Sequence, residues 1–177
     1  DLLVANDGGP NRFYLHQGLD ENDQFAGFAA GQDLPDALTD GDSTTTGLVI
    51  ADVDGDGDLD VVVTNRTSPA LVYSNNGVSE GAWGGYAAAV PVSGETTAAT
   101  SLAVADLNAD GLPDIVVGND GSANRVFLNA GFGQDDVWQG FAPGVDLETA
   151  ETDATMAVAV GDVDGDDTPD IVTGNDG

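Results

Sequence analysis

Apolar residues in this chain come in short runs, and each run is bounded by aspartate, asparagine or glycine. Residues 48–51, 102–105 and 156–160 are three such runs, each leading into an acidic stretch. Residues 61–63 and 115–117 lead out of the first two of those stretches. Runs of this length, β-branched and closed by turn formers, predict strands buried on both faces. A third strand is predicted after a Gly/Pro/Ser turn, at residues 12–15, 71–73 and 125–128. A fourth element carries paired rings: Phe25 with Phe28, Trp83 with Tyr86, and Trp138 with Phe141, each with glycine just before the second ring. Rings three apart face opposite sides of a flat strand, so a bend or bulge at that glycine is expected. Nothing in the chain has helical periodicity.

The pattern repeats. Asp1-Leu-Leu-Val-Ala-Asn6, Asp60-Val-Val-Val-Thr-Asn65, Asp114-Ile-Val-Val-Gly-Asn119 and Asp170-Ile-Val-Thr-Gly-Asn175 follow one another at intervals of 59, 54 and 56 residues. A period in the mid-fifties is too long for helical repeats and suits a propeller blade of four short strands. The predicted fold is therefore all-β, a set of β-propeller blades in one domain, with repeats at about 1–43, 44–96, 97–152 and 153–177. Residues 1–8 and 170–177 occupy the same place in the repeat, which is the pattern expected of a stretch of a longer array.

Between the first two strands of each repeat lies a nine-residue acidic loop. In the first, Asp52, Asp54, Asp56 and Asp60 take the first, third, fifth and ninth places, Gly57 the sixth, and Asp58 the seventh. Such a loop can turn four oxygen-bearing side chains and one backbone carbonyl, from the seventh residue, toward a common centre. A hard cation such as Ca²⁺ takes six to eight oxygens at about 2.3–2.6 Å. With no cation, two carboxylates about 4 Å apart repel by roughly 4 kcal/mol at an effective dielectric near 20. The second loop supplies Asp106, Asn108, Asp110, Leu112 (by its carbonyl) and Asp114. The third supplies Asp162, Asp164, Asp166, Thr168 (by its carbonyl) and Asp170, but has Asp167 where the others have glycine. Glycine there serves a left-handed turn that aspartate also tolerates, so the third site is expected to bind more weakly. About three Ca²⁺ sites are expected, with Mg²⁺ the poorer fit. An EF-hand would need a bidentate Glu at the twelfth place, which here holds Val63, Val117 and Thr173.

Charge narrows the function. The chain has 32 acids against three arginines, a formal net charge of −29, and three divalent ions would bring it only to −23. Nucleic acid and anionic membranes need basic patches, so neither is an expected partner. The acidity suits surroundings of high ionic strength. There is no cysteine and no apolar run long enough to span a membrane. Arg12 and Arg125 share a register and are expected to pair with neighbouring carboxylates. The only histidine, His16, lies in a turn, and no nucleophile has a partner base. No catalytic residue is assigned, and the chain is not expected to be an enzyme.

The acidic loops, as in Val49-Ile-Ala-Asp-Val-Asp-Gly-Asp-Gly-Asp-Leu-Asp60, together with Asn124-Arg-Val-Phe-Leu128, resemble the FG-GAP/VCBS repeat family, the blades of the integrin alpha-chain type of propeller. Asp7-Gly-Gly-Pro-Asn-Arg12 is also similar to the propellers that accompany ASPIC/UnbV domains. The resemblance implies a seven-bladed propeller, secreted or on the cell surface, with Ca²⁺ in its hairpin loops. The expected function is a calcium-stabilised scaffold for binding or adhesion, its partner a protein or a glycan. The alternative is a lectin-like propeller that stacks sugars on Trp83 and Trp138. Tryptophans recurring in register fit packing between repeats better than a binding site.

Overall fold

The computed structural model describes residues 1–35, 44–147 and 153–176. All of their regular structure is strand, arranged as successive antiparallel meanders. The first sheet holds β1 (Leu2–Val4), β2 (Arg12–Tyr14) and β3 (Gln32–Asp33). The second opens with β4 (Thr45–Ala51), β5 (Asp60–Asn65) and β6 (Leu71–Tyr73). A separate hairpin, β7 (Val78–Ser79) with β8 (Ala82–Trp83), follows, and β9 (Val90–Pro91) then completes the second sheet beside β6. The third sheet runs β10 (Ala99–Ala105), β11 (Asp114–Asn119), β12 (Arg125–Phe127), β13 (Val145–Asp146), and the fourth pairs β14 (Ala154–Gly161) with β15 (Asp170–Asp176). The first strands β4, β10 and β14 lie side by side, as expected of stacked propeller blades.

The β5 side chains show how one strand feeds two interfaces. Val61 and Val63 enter a cluster with Phe13, Leu34 and Leu71 toward the first sheet, while Val62 joins Val53, Ile115, Val117 and Phe127 toward the third. Side chains alternate across a strand, so an unbroken valine run buries both faces. Each fully buried valine contributes about 1.5–3 kcal/mol.

Two details differ from the sequence expectation. The inner strands begin two or three residues earlier than the apolar runs, with a bulge after Thr45, Ala99 and Thr155. The bulge residues Thr46 and Thr100 use their hydroxyls on the next sheet, donating to the carbonyls of Ala99 and Thr155 respectively. The paired aromatics are also not the fourth strand. Gly27, Gly85 and Gly140 have φ of 93°, 75° and 75°, so the bend expected there is present. It folds the chain back instead of extending it: Phe28, Tyr86 and Phe141 pair with His16, Asn75 and Asn129, just past the third strand. The fourth strands β3, β9 and β13 come later.

A polar thread ties sheet to sheet. Asn11 donates to Thr45 Oγ1 at 3.0 Å, which donates to Asn65 Oδ1 at 2.9 Å. Asn124, Thr155 and Asn175 repeat the chain of bonds at 2.9 Å each. Between the second and third sheets the same places hold Ala70 and Ala99, packed in the core, and Asn119 Oδ1 is left buried without a partner.

Candidate metal centres

The three acidic loops fold on one hydrogen-bond plan. The first-place carboxylate accepts from the sixth-place N–H: Gly57 to Asp52 at 3.0 Å, Gly111 to Asp106 at 2.9 Å, Asp167 to Asp162 at 3.0 Å. The fifth-place carboxylate accepts from the seventh-place N–H at 2.8, 2.9 and 2.8 Å. The sixth residue is left-handed in all three, with φ of 92° at Gly57, 87° at Gly111 and 66° at Asp167. The fourth residue is left-handed too, which costs nothing at Gly55 and Gly165 but strains Ala109, at φ 59°.

The ninth-place aspartate is a latch. Asp60 accepts from the Val53 N–H at 2.9 Å with one oxygen and from the Asn75 N–H at 2.8 Å with the other. Asp114 does the same with Leu107 at 2.8 Å and Asn129 at 2.7 Å. In the first sheet Asp1 accepts from the His16 N–H at 2.8 Å. These bonds close the loop onto the start of the second strand and the end of the third.

The loops differ in what is left over. In the first, ligand oxygens of Asp52, Asp54 and Asp60 lie within 4.8 Å of one another. Asp52 Oδ1 and Asp54 Oδ1 are buried with no hydrogen-bond partner. Burial, then repulsion from Asp56, pushes the Asp54 carboxyl above the usual carboxylate range, and burial does the same to Asp60. Orphaned carboxylate oxygens facing a third acid are what a cation would satisfy, so these residues fit one. Asp56 is occupied by the Asp58 N–H, and the Asp58 side chain instead packs where Gly77 leaves room for it.

In the third loop Asp162, Asp164 and Asp166 gather within 4.8 Å, but all three are exposed. Backbone N–H groups of Asp167 and Gly165 hold the Asp162 carboxyl below the usual range, and Thr168 does so for Asp166. Backbone N–H groups already serve as partners for all three of these carboxylates. The second loop is not gathered in this way: among the described residues Asp106, Asp110 and Asp114 form no such triad. Asn108 stands in the third acid's place and turns its amide onto Asp110, Nδ2 to Oδ2 at 2.9 Å. The three loops of the sequence reading, the third expected to bind more weakly, therefore resolve into one partly buried triad, one exposed triad and one loop closed by its own amide.

A family model described as FG-GAP-like repeat matches residues 1–63, 52–117 and 106–173. The chain belongs to the FG-GAP-like repeat family. A search of curated proteins gives no match. Each FG-GAP-like unit runs from loop to loop rather than from sheet to sheet: the second and third matches begin at Asp52 and Asp106, and neighbouring matches share a whole acidic loop. The unit boundary thus falls on the residues that latch one strand pair shut and support the next blade.

That support rests on residues the sequence reading passed over. Asn129 donates Nδ2 to the carbonyls of Val53 at 2.8 Å and Pro113 at 3.2 Å, and accepts from Gly131 N–H and Trp138 Nε1 at 3.0 and 2.9 Å. Asn75 accepts from Trp83 Nε1 at 2.7 Å. The signal was available: Asn75 and Asn129 share a repeat position, and both repeats carry Trp, whereas His16 stands with Phe25, 5.0 Å from ring to ring. Trp83 is packed edge-on against Phe13 and Tyr86 at 5.2 and 5.3 Å, and Trp138 against Phe141 at 5.6 Å. Both tryptophans are half-buried contacts between sheets. The arginines pair as expected, Arg12 with Asp33 at 2.6 Å and Arg125 with Asp146 at 3.0 Å and with Glu95.

Proposed function

We propose that this FG-GAP-like repeat region is a calcium-clamped propeller segment that serves outside the cell as a binding or adhesion scaffold, with the metal structural. The supporting observation is the pair of buried, unpartnered oxygens of Asp52 and Asp54 set against Asp60. A cation there joins the end of β4 to the start of β5, and through the Asp60 latch reaches the end of β6. Its binding free energy then counts toward folding. Ca²⁺ suits the site better than Mg²⁺, since a loop of carboxylates and carbonyls is a flexible oxygen shell. The exposed third triad is the weaker site. FG-GAP-like repeats are typically non-catalytic binding repeats, and the partner, a protein or a glycan, is taken by surface loops.

Thermal melts with Ca²⁺ and with chelator test this. Ligand at about a hundred times Kd adds about 2.7 kcal/mol, and a domain of this size gains about 2–4 °C per kcal/mol, so Tm should rise by roughly 5–10 °C per tight site. An unchanged melt across the titration removes the proposal.

A further inference from the structure

We propose that calcium binding at the first acidic loop and the docking of the third sheet on the second are one linked equilibrium, with Asn129 and Phe132 as the positioning residues that set the ion's affinity. The inference rests on the reading of that loop as a calcium site, and goes beyond it in holding that the neighbouring blade completes the site.

The ligand-bearing stretch is gripped from outside at the two residues that alternate with its acids. Val53, between Asp52 and Asp54, is fully buried and shares a cluster with Ile115, Val117 and Phe127 of the third sheet. Its N–H donates to Asp60 at 2.9 Å, and its carbonyl accepts from Asn129 Nδ2 at 2.8 Å. That carbonyl belongs to the planar peptide leading into Asp54, so Asn129 fixes the plane from which this carboxylate departs. Gly55, between Asp54 and Asp56, has φ of 70° and turns its bare face to the third repeat. A Cβ there would lie 3.0 Å from Phe132 Cζ and 3.7 Å from Leu112 Cδ2. Asn129 and Phe132 come from one short turn, in which the Gly131 N–H donates to Asn129 Oδ1 at 3.0 Å.

The oxygens of Asp52, Asp54 and Asp60 lie within 4.8 Å of one another, an arrangement their charges oppose until a cation arrives. The grip of the third sheet holds it against that repulsion. Fixing backbone is a main entropic cost of closing a loop around an ion, and part of that ordering is complete once the blades stack. Linkage is reciprocal: whatever the third sheet adds to calcium affinity, calcium adds to the docking of the third sheet. Removing calcium therefore loosens the joint between two blades as well as the hairpin that holds the ion.

Trp138 is a built-in reporter of this joint. Its Nε1 donates to Asn129 Oδ1 at 2.9 Å, and its backbone pairs with that of Phe132. A shift at Val53 reaches the indole through a single side chain. The chain has two tryptophans, so Trp83→Phe isolates the signal of Trp138 and installs the residue type that Phe25 provides in the first repeat.

Calcium titrations of the full chain test the linkage, read by calorimetry and, in the Trp83→Phe background, by Trp138 emission. The emission change should share the midpoint of the tighter calorimetric site, and Asp54→Asn should abolish it. Phe132 is 48% exposed, so Phe132→Ala should keep the circular dichroism spectrum while raising Kd at least about fivefold, a coupling of ordinary size. Phe132→Leu, the residue type of Leu19 at the same place in the first repeat, should recover most of the affinity. Asn129→Ala should raise Kd by about 10–100-fold, as losing a residue that orients a metal ligand does. A purely structural contact would lower stability alike in calcium and in chelator and leave Kd where it was. A wild-type Kd in Phe132→Ala, or an emission change that survives Asp54→Asn, overturns the linkage and leaves the calcium site standing. An unmutated chain that binds no calcium removes the site itself and the linkage with it.

Discussion

Replacing Asn129 by alanine is expected to be the most damaging single polar change in the molecule, because it breaks four hydrogen bonds at once. The carbonyls of Val53 and Pro113, the Gly131 N–H and the Trp138 indole N–H all lose their partner. A buried polar group left unmade costs about 1–3 kcal/mol. Val53 is fully buried and Asn129 nearly so, but the other three groups are partly accessible, so the lower end applies to them. The expected loss is about 4 kcal/mol. Asn75→Ala is the internal control. It breaks three bonds, to Leu59 O, Gly77 N–H and Trp83 Nε1, in a more exposed setting where water can replace them, and it severs no bond between sheets. About 1–2 kcal/mol is expected there. Urea unfolding at fixed Ca²⁺ reads both. With m near 2 kcal/mol/M, the midpoint should fall by about 2 M for Asn129→Ala and by less than about 1 M for Asn75→Ala. Equal shifts, or a loss below about 1 kcal/mol for Asn129→Ala, would refute the claim that this asparagine carries the junction between second and third sheets.

Three further outcomes are expected. Burial and Asp56 raise the Asp54 pKa in the folded state, so the folded protein holds this proton more tightly than the unfolded chain; metal-free stability therefore falls as pH rises through that raised pKa. Asp54→Asn removes this contribution: it should melt above wild type in metal-free buffer near neutral pH, the gap closing toward about pH 4, and below wild type in Ca²⁺; a mutant less stable than wild type in both buffers contradicts this. Ala109→Gly relieves a left-handed backbone and should stabilise by about 1 kcal/mol, read as a rise in the urea midpoint, with a fall counting against the strain. Restoring the polar thread with Ala70→Asn and Ala99→Thr together should show a favourable coupling of about 1 kcal/mol in a double-mutant cycle, since the new threonine can donate to the orphaned Asn119 Oδ1; zero coupling would mean that the gap is filled by packing alone.

The parts of this molecule legible in its sequence are those set by local chemistry repeated at a fixed interval. Valine runs such as Val61–Val63 declare a strand buried on both sides, and the spacing of Asp52, Asp54 and Asp60 declares a loop that converges. Gly85 declares a turn, but not where the chain goes afterwards, so the Trp83–Tyr86 segment read as a fourth strand when it folds back on Asn75. That outcome depends on which N–H finds Asn75 and Asn129, contacts made across the fold. An inequality of the loops was expected from Asp167, but its source in the surroundings was hidden. The first loop differs from the third less in its acids than in its surroundings: Asp52 and Asp54 are partly buried, with one oxygen of each shut off from solvent, whereas Asp162 and Asp166 are exposed. The bulge threonines Thr46 and Thr100 lie just ahead of the apolar runs, where periodicity no longer speaks, and their role appears only when the next sheet supplies a carbonyl.

The central claim is that Asp52, Asp54 and Asp60 enclose a calcium ion. Anomalous diffraction from crystals grown in Ca²⁺ tests it most directly. The account predicts an anomalous peak among the three carboxylates with oxygens at about 2.3–2.6 Å, strongest in the first loop and weaker or absent in the second. A map with no peak there, and Asp54 held instead by a water or a protein donor, would contradict it.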